Sequence, residues 1–159
     1  MNEQALRAIV DKVVREIKAP QDMTLDIALS LAEKVKAKAV SMGVKAVVAI
    51  SGRAGHPVLV QCMDDSYIAS YDVAVQKAFT VVALKMSTST LKPLAQPGGS
   101  LYGIQFTNGG KIVIFGGGEP LKNADGEIIG GLGISGGSEA QDSALAAYGK
   151  EIFEKGKYL

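Results

Sequence analysis

The stretch that decides the fold runs from Asp125 to Asp142, DGEIIGGLGISGGSEAQD. Glu127 to Ser135 reads as an apolar strand entered through the Asp125-Gly126 turn, and Ser138 is placed to cap a helix reaching about Glu154. Between strand and helix, Gly131-Leu132-Gly133-Ile134-Ser135-Gly136 matches G-x-G-x-x-G, the signature of a dinucleotide-binding unit. Such a unit requires a second parallel strand after the helix, ending near an acidic residue, whereas here the sequence finishes with the helix. The strand is therefore expected to pair backward with Lys111–Phe115, through Gly116-Gly117-Gly118-Glu119-Pro120 and the Asp125-Gly126 turn, as a hairpin.

The same pattern recurs upstream. Val44–Ile50 and Pro57–Met63 are short apolar runs joined by Ser51-Gly52-Arg53-Ala54-Gly55-His56, a second hairpin with both faces expected to be largely covered. A helix is predicted from Thr24 to Met42, capped by Asp22 or Thr24 and by Gly43, with Leu25, Ala28, Leu31, Ala32, Val35 and Ala39 inward. Asp64, Asp65 and Ser66 supply capping oxygens for another, which runs to about Met86. It is predicted to bury Ile68, Val73, Val75, Ala78, Phe79, Val82 and Ala83. Ser87–Ser100, with Pro93 and Pro97, should be irregular apart from one turn near Thr90–Ala95. Strands that arrive in hairpins between helices give an α/β (α+β) fold, an antiparallel sheet flanked by helices, over residues 24–159.

Ahead of that domain, Leu6, Ile9, Val10, Val13, Val14 and Ile17 recur at three- and four-residue steps among charged residues, an amphipathic helix over residues 1–18. Ala19-Pro20-Gln21-Asp22 breaks it, and residues 19–23 are read as a linker. A helix of this length is marginal alone in water and needs a partner surface.

The 159 residues carry 17 basic and 16 acidic side chains, scattered along the chain, so no electrostatic footprint for nucleic acid or an anionic membrane is present. Met-Asn-Glu-Gln opens the chain without an apolar leader, and no run approaches a membrane span. Together with a single cysteine, this points to a reducing cytoplasm. Cys62 alternates with Val58 and Val60 and reads as a small buried hydrophobe. His56, the one histidine, reads as an exposed turn residue; it cannot make a two-histidine site, so the protein alone is expected to hold no metal. Asp64 and Asp65 diverge as neighbours, which leaves no catalytic set. Tyr67 and Tyr71, four apart, share a helix face, and Lys77 lies on neither's; all three are pocket candidates. An anion at the N–H groups of Gly137, Ser138 and Glu139 is disfavoured by the charges of Glu139 and Asp142. Gly116, Gly117, Gly118, Gly136 and Gly137 are read as structural turn glycines.

Three ordered blocks, MDDSYIASYDVAVQKAFT (63–80), SLYGIQFTNGGKIVIFGGGEP (100–120) and Asp125–Asp142, resemble the GlcG/HbpS family, and within it the PduO C-terminal domains. The resemblance implies a profilin-like antiparallel sheet, a homo-oligomer, and binding of haem or a related tetrapyrrole such as a corrinoid. No histidine stands near Thr24 or in Ser87–Leu91, so an axial ligand would come from His56, Tyr71, Met63 or Met86. The first helix resembles the encapsulation peptides that precede cargo of bacterial microcompartments, implying shell or cargo proteins as partners and a lumenal location. The resulting expectation is an accessory ligand-binding protein with an apolar pocket. The alternatives are a small-molecule redox or isomerase enzyme using a pocket near Tyr71 and Gly116–Pro120, or a purely structural oligomeric module.

Overall fold

A computed structural model of the chain describes residues 2–18 and 20–159, without the side chains of residues 15–18. The elements are α1 Glu3–Lys18, α2 Leu25–Ser41, β1 Val47–Gly52, β2 Pro57–Cys62, α3 Ile68–Ala83, α4 Thr88–Leu94, β3 Gly118–Lys122, β4 Ile128–Ser135 and α5 Glu139–Glu154. The strands form one sheet in the order β2-β1-β4-β3, with every neighbouring pair antiparallel. Hairpin connections give that result directly, so the fold is mixed α/β with flanking helices, as the sequence leads one to expect.

Alternation along the strands sorts the core into two faces. Val48, Ile50, Leu132 and Ile134 join Leu31 and Val35 of α2 with Leu145 and Phe153 of α5. Val47 and Ala49 point the other way, onto Ala74 and Ala78 of α3. The first face is covered by two helices packed side by side and the second chiefly by one.

That one helix lies unusually close to the sheet. A Cβ at Gly133 would stand 2.0 Å from the carbonyl oxygen of Ala74, and one at Gly131 would stand 2.3 Å from that of Ala78. The glycines of the G-x-G-x-x-G match thus let helix backbone rest on strand backbone, and the motif serves packing. This contact also overturns the predicted inner face of α3. Its buried residues are Ser70, Ala74, Lys77, Ala78, Thr80 and Val81, because the small gap admits small side chains. Val73, Val75, Phe79 and Val82 are half-buried on the flanks, Ala83 is exposed, and Ile68 is 96% exposed.

Other expectations shift for equally local reasons. Lys111–Phe115 is not a strand: Thr80 Oγ1, which donates to the Gln76 carbonyl at 2.7 Å, accepts from the Val113 N–H at 3.0 Å, so the segment is tied to α3 instead of a ladder. Its apolar character reflects the burial of Ile112 and Val113 there. The strand begins later, with Gly118 opposite Gly133. Strand β2 is an edge strand, so its residues are only half-covered and Cys62 is exposed, not buried. Leu25, in the first turn of α2, is likewise exposed, whereas the rest of its predicted stripe is buried. The far end of the expected 19–23 linker is fixed: Met23 is buried beside Gly130, and the Arg53 guanidinium donates to the Gln21 carbonyl and lies 3.6 Å from Asp22.

Helix α1 borders a cavity of about 490 Å³, which Ala8, Asp11, Lys12 and Val14 line together with Asn123, Phe153 and Tyr158. Among the described residues it shares no substantial packing face with another element, and Leu6, Ile9, Val10, Val13 and Val14 are 43–49% exposed. The side chain of Ile17, the last of the row, lies outside the described residues. No helix in the described structure is long and apolar enough to cross a membrane.

Gly133→Ala forces a methyl group against the α3 backbone and should cost about 1–3 kcal/mol of stability or more, as overpacking does. Denaturant unfolding measures it; a variant as stable as the parent would contradict the close seat of α3 on β4.

Candidate functional site

Two features stand out around α3, one polar and closed, the other apolar and open. The polar one centres on Lys77, whose side chain is fully buried. Its Nζ donates to the Ile134 carbonyl at 2.7 Å and to Asp142 Oδ2 at 3.3 Å, and it lies 4.9 Å from the centroid of the Phe115 ring. Asp142 Oδ1 accepts from the Gly137 N–H at 2.8 Å. Burial pushes the Lys77 ammonium down and the Asp142 carboxyl up from their ordinary values, and each charge offsets part of the other's shift.

The glycine turn wraps this pair. Gly117, at φ 114°, leaves no room for a side chain, since a Cβ would meet Lys77 Nζ at 2.6 Å. Gly116 N–H donates to Glu139 Oε1 at 3.0 Å, and Gly118 N–H donates to Thr88 Oγ1 at 2.9 Å. Lys92 holds the other Glu139 oxygen at 2.6 Å, and these two contacts keep that carboxyl below its usual range. The turn therefore joins α3, α4, β4 and α5. Two acceptors and one ring face engage the three ammonium hydrogens of Lys77, which leaves the lysine no free donor. Beside it lies a cavity of about 280 Å³, walled by Tyr67 and Phe115 and floored by Ser70, Ser135 and Asp142. At the start of α5, Gly137 N–H is taken by Asp142 and Ser138 N–H by Gln141 Oε1 at 2.9 Å. A capping box there leaves little for an anion to bind.

The apolar feature follows from how α3 covers its sheet. A helix about 10 Å across cannot span four strands spaced about 4.8 Å apart, and the glycines hold α3 over β4. The flank of α3 nearer β2 carries Ile68, Tyr71, Val75, Phe79 and Val82, at helical spacing. Val60 of β2 packs with Val75 over Val47 and Ala49, and the Phe79 ring lies against Gly55 in the β1–β2 turn. Beside the sheet edge this flank is an apolar strip of surface, with Ile68 96% and Tyr71 50% exposed.

The structure disperses the predicted cofactor residues. Tyr71 is on this strip. Met63 is on the opposite face of β2, its Sδ accepting from the Ala46 N–H at 3.3 Å, and it lines a separate groove against α2 with Lys36, Val40 and Gln61. Met86 is half-buried beyond the end of α3, and His56 is exposed in the β1–β2 turn. Among the described residues no three His, Cys, Asp or Glu side chains are grouped to hold a metal ion. The Lys77–Asp142 pair was not anticipated from the sequence. Its signal was available, since Lys77 interrupts the small-residue row Ser70, Ala74, Ala78 and Asp142 is an acid in the first turn of the last helix.

Comparison with known proteins places this geometry in context. A family model described as haem degrading protein HbpS-like matches residues 23–151. An uncharacterised 15.0 kDa protein from the dhaT-dhaS intergenic region of Citrobacter freundii is 40% identical over 133 residues, covering 84% of this chain and 93% of that one. The corrinoid adenosyltransferase PduO of Salmonella typhimurium is 43% identical over 109 residues, 69% of this chain; the match spans only 32% of PduO. A solved structure described as a PduOC:heme complex superposes with a TM-score of 0.78 at 37% identity, covering 82% of this chain and 94% of that one.

Lys77→Ala leaves Asp142 buried without its partner and should cost about 3–5 kcal/mol. The pH dependence fixes the cause. An acid whose pKa is raised on folding binds more protons folded than unfolded, so the variant should regain stability as pH falls through the raised value towards the ordinary 3.8. Unfolding curves across that range test it; a loss that does not shrink on acidification would exclude Asp142 as its source.

Proposed function

The chain belongs to the HbpS-like family, and from that premise we propose that it is an accessory ligand-binding protein of a bacterial microcompartment, holding haem or a related tetrapyrrole such as a corrinoid. The observation that carries this reading is the apolar strip beside α3, an exposed surface that includes a tyrosine. A flat macrocycle gains most from such a surface, and a tyrosine oxygen is an established haem ligand. Tyr71 is thus the axial candidate kept from the sequence; Met63 lies on the opposite face of β2, His56 in the β1–β2 turn and Met86 beyond the end of α3. The likeness to the PduOC:heme complex supports the ligand class. Adenosyltransferase activity is not proposed, since the match spans 32% of PduO.

Helix α1 lies outside the residues matched by the family model, and the described part of its apolar row is about half-exposed. Its position outside the family match and the 43–49% exposure of Leu6, Ile9, Val10, Val13 and Val14 support a separate task, docking on a helix or groove of a shell or cargo protein in the microcompartment lumen. A homo-oligomer, implied by the family resemblance, completes the reading. A small-molecule enzyme is the second reading, favoured by the Lys77, Asp142, Glu139 and Lys92 cluster beside the cavity of about 280 Å³. The mutual pairing of all four charges weighs against it.

Adding hemin to the purified protein should give a saturable Soret shift. Tyr71→Phe should move the band and weaken binding by roughly ten-fold, about 1.4 kcal/mol, while His56→Ala leaves both unchanged. Absence of saturable binding to the parent protein would remove the haem reading. For α1, a fluorescent protein fused to residues 1–20 and expressed with a microcompartment operon should appear as puncta. The same fusion with Val10→Asp and Val13→Asp should be diffuse, and diffuse signal from the parent peptide would end the targeting claim.

A further inference from the structure

The cavity beside the Lys77–Asp142 pair has a polar floor that the tetrapyrrole reading does not use. Ser70 and Ser135, 4% and 8% exposed, both line it, and the Ser135 hydroxyl donates to Ser70 Oγ at 3.0 Å. The Ser70 hydroxyl hydrogen is left over, and it meets no acceptor among the described residues. A buried donor without a partner is costly, so an acceptor oxygen placed in this cavity is favoured.

Two carboxylates share the lining, those of Asp142 and Glu139. Asp142 accepts from Lys77 and from the Gly136 and Gly137 N–H groups, and Glu139 accepts from Lys92 and the Gly116 N–H. A carboxylate offers about four acceptor sites, so each keeps at least one for a further donor. Their charges are balanced by the two lysines, neither of which lines the cavity. An anion entering there meets carboxylates first, and a cation finds them already paired. Tyr67 and Phe115 wall the space with Val73, an apolar surround for a ring.

We propose that this cavity binds a small uncharged molecule, a single-ring apolar body whose polar head both accepts and donates, as a carboxamide or a hydroxyl does. The head's oxygen accepts from Ser70, and its hydrogen goes to the spare acceptor site of Asp142 or Glu139. A carboxylate head accepts only and a primary ammonium donates only, so each leaves half of the floor unmet. At about 280 Å³ the space lies at the small end of ligand pockets, which suits one ring and not a macrocycle. It opens on the side of α3 that carries Ser70, Val73 and Lys77, whereas Tyr71 and Val75 stand on the flank nearer β2. The site is therefore separate from the apolar strip and does not depend on what the strip holds.

Benzamide, benzoate and benzylammonium carry the three kinds of head on one ring, and saturation-transfer NMR with the intact protein at neutral pH measures the affinity of each. Benzamide should bind saturably, and both charged probes should bind roughly ten-fold more weakly or worse. Ser70→Ala should weaken benzamide by roughly ten-fold through the lost hydrogen bond. Ala69 is an exposed lining residue, so Ala69→Trp should fill the mouth and abolish binding without touching the core. Unfolding curves establish that the variants are folded; if Ser70→Ala is not, Ala69→Trp decides alone. No saturable benzamide signal from the parent overturns the site, and a charged probe that binds as tightly overturns the uncharged head. Benzamide binding that either folded variant leaves unchanged lies elsewhere on the molecule and overturns the assignment. The Soret shift with hemin is a separate readout, so failure of either reading leaves the other standing.

Discussion

The contact on which the molecule depends is backbone against backbone, α3 on β4 at Gly131 and Gly133. With no Cβ on the strand, the helix settles until its own carbonyls fill the space, and the contact face must be built from Ser70, Ala74 and Ala78. Bulkier apolar residues are displaced to the flanks. A lysine on the same face, long enough to reach past the strand end, is then sealed from water, and a sealed ammonium requires partners. The Ile134 carbonyl, Asp142 and the Phe115 ring supply them. The glycine turn before β3 closes over the result, because only glycine leaves room beside Nζ. Motif, buried ion pair and glycine turn are consequences of one close approach.

The same approach creates the imbalance that gives the protein a functional surface. Two helices share one face of the sheet, while the other has α3 drawn over β4 and a bare margin along β2. An apolar margin of this kind attracts a flat ligand, another protein, or both. The closed Lys77–Asp142 pair acts at a distance from that margin. It ties α3 to β4 and α5.

Much of the architecture was legible in the sequence because turn chemistry is local. Asp125-Gly126, the Ser51–His56 turn and the Ser138 cap each announce their geometry in a few residues, and hairpins exclude a parallel sheet. What escaped the reading was set by contacts between distant segments. Periodicity alone cannot tell an inner face lined by small residues from an outer one lined by Ile68 and Phe79, since the decision lies with glycines some 55 residues further on. An apolar run such as Ile112–Ile114 looks like a strand whether its partner is a ladder or the hydroxyl of Thr80. The cofactor candidates show the same limit: residue type selects His56, Met63, Met86 and Tyr71, but only the fold disperses them, with Tyr71 on the exposed flank of α3 and Met63 on the opposite face of β2.

The central claim is that the bare margin between α3 and β2 is the working face of the domain. Hydrogen exchange of the intact protein with and without saturating hemin addresses it at peptide resolution. Added protection should concentrate in Pro57–Cys62 and along Ile68–Val82, with α2, β3 and α5 unchanged. Protection centred on α2, β3 or α5, or none under conditions where hemin is bound, would contradict the account.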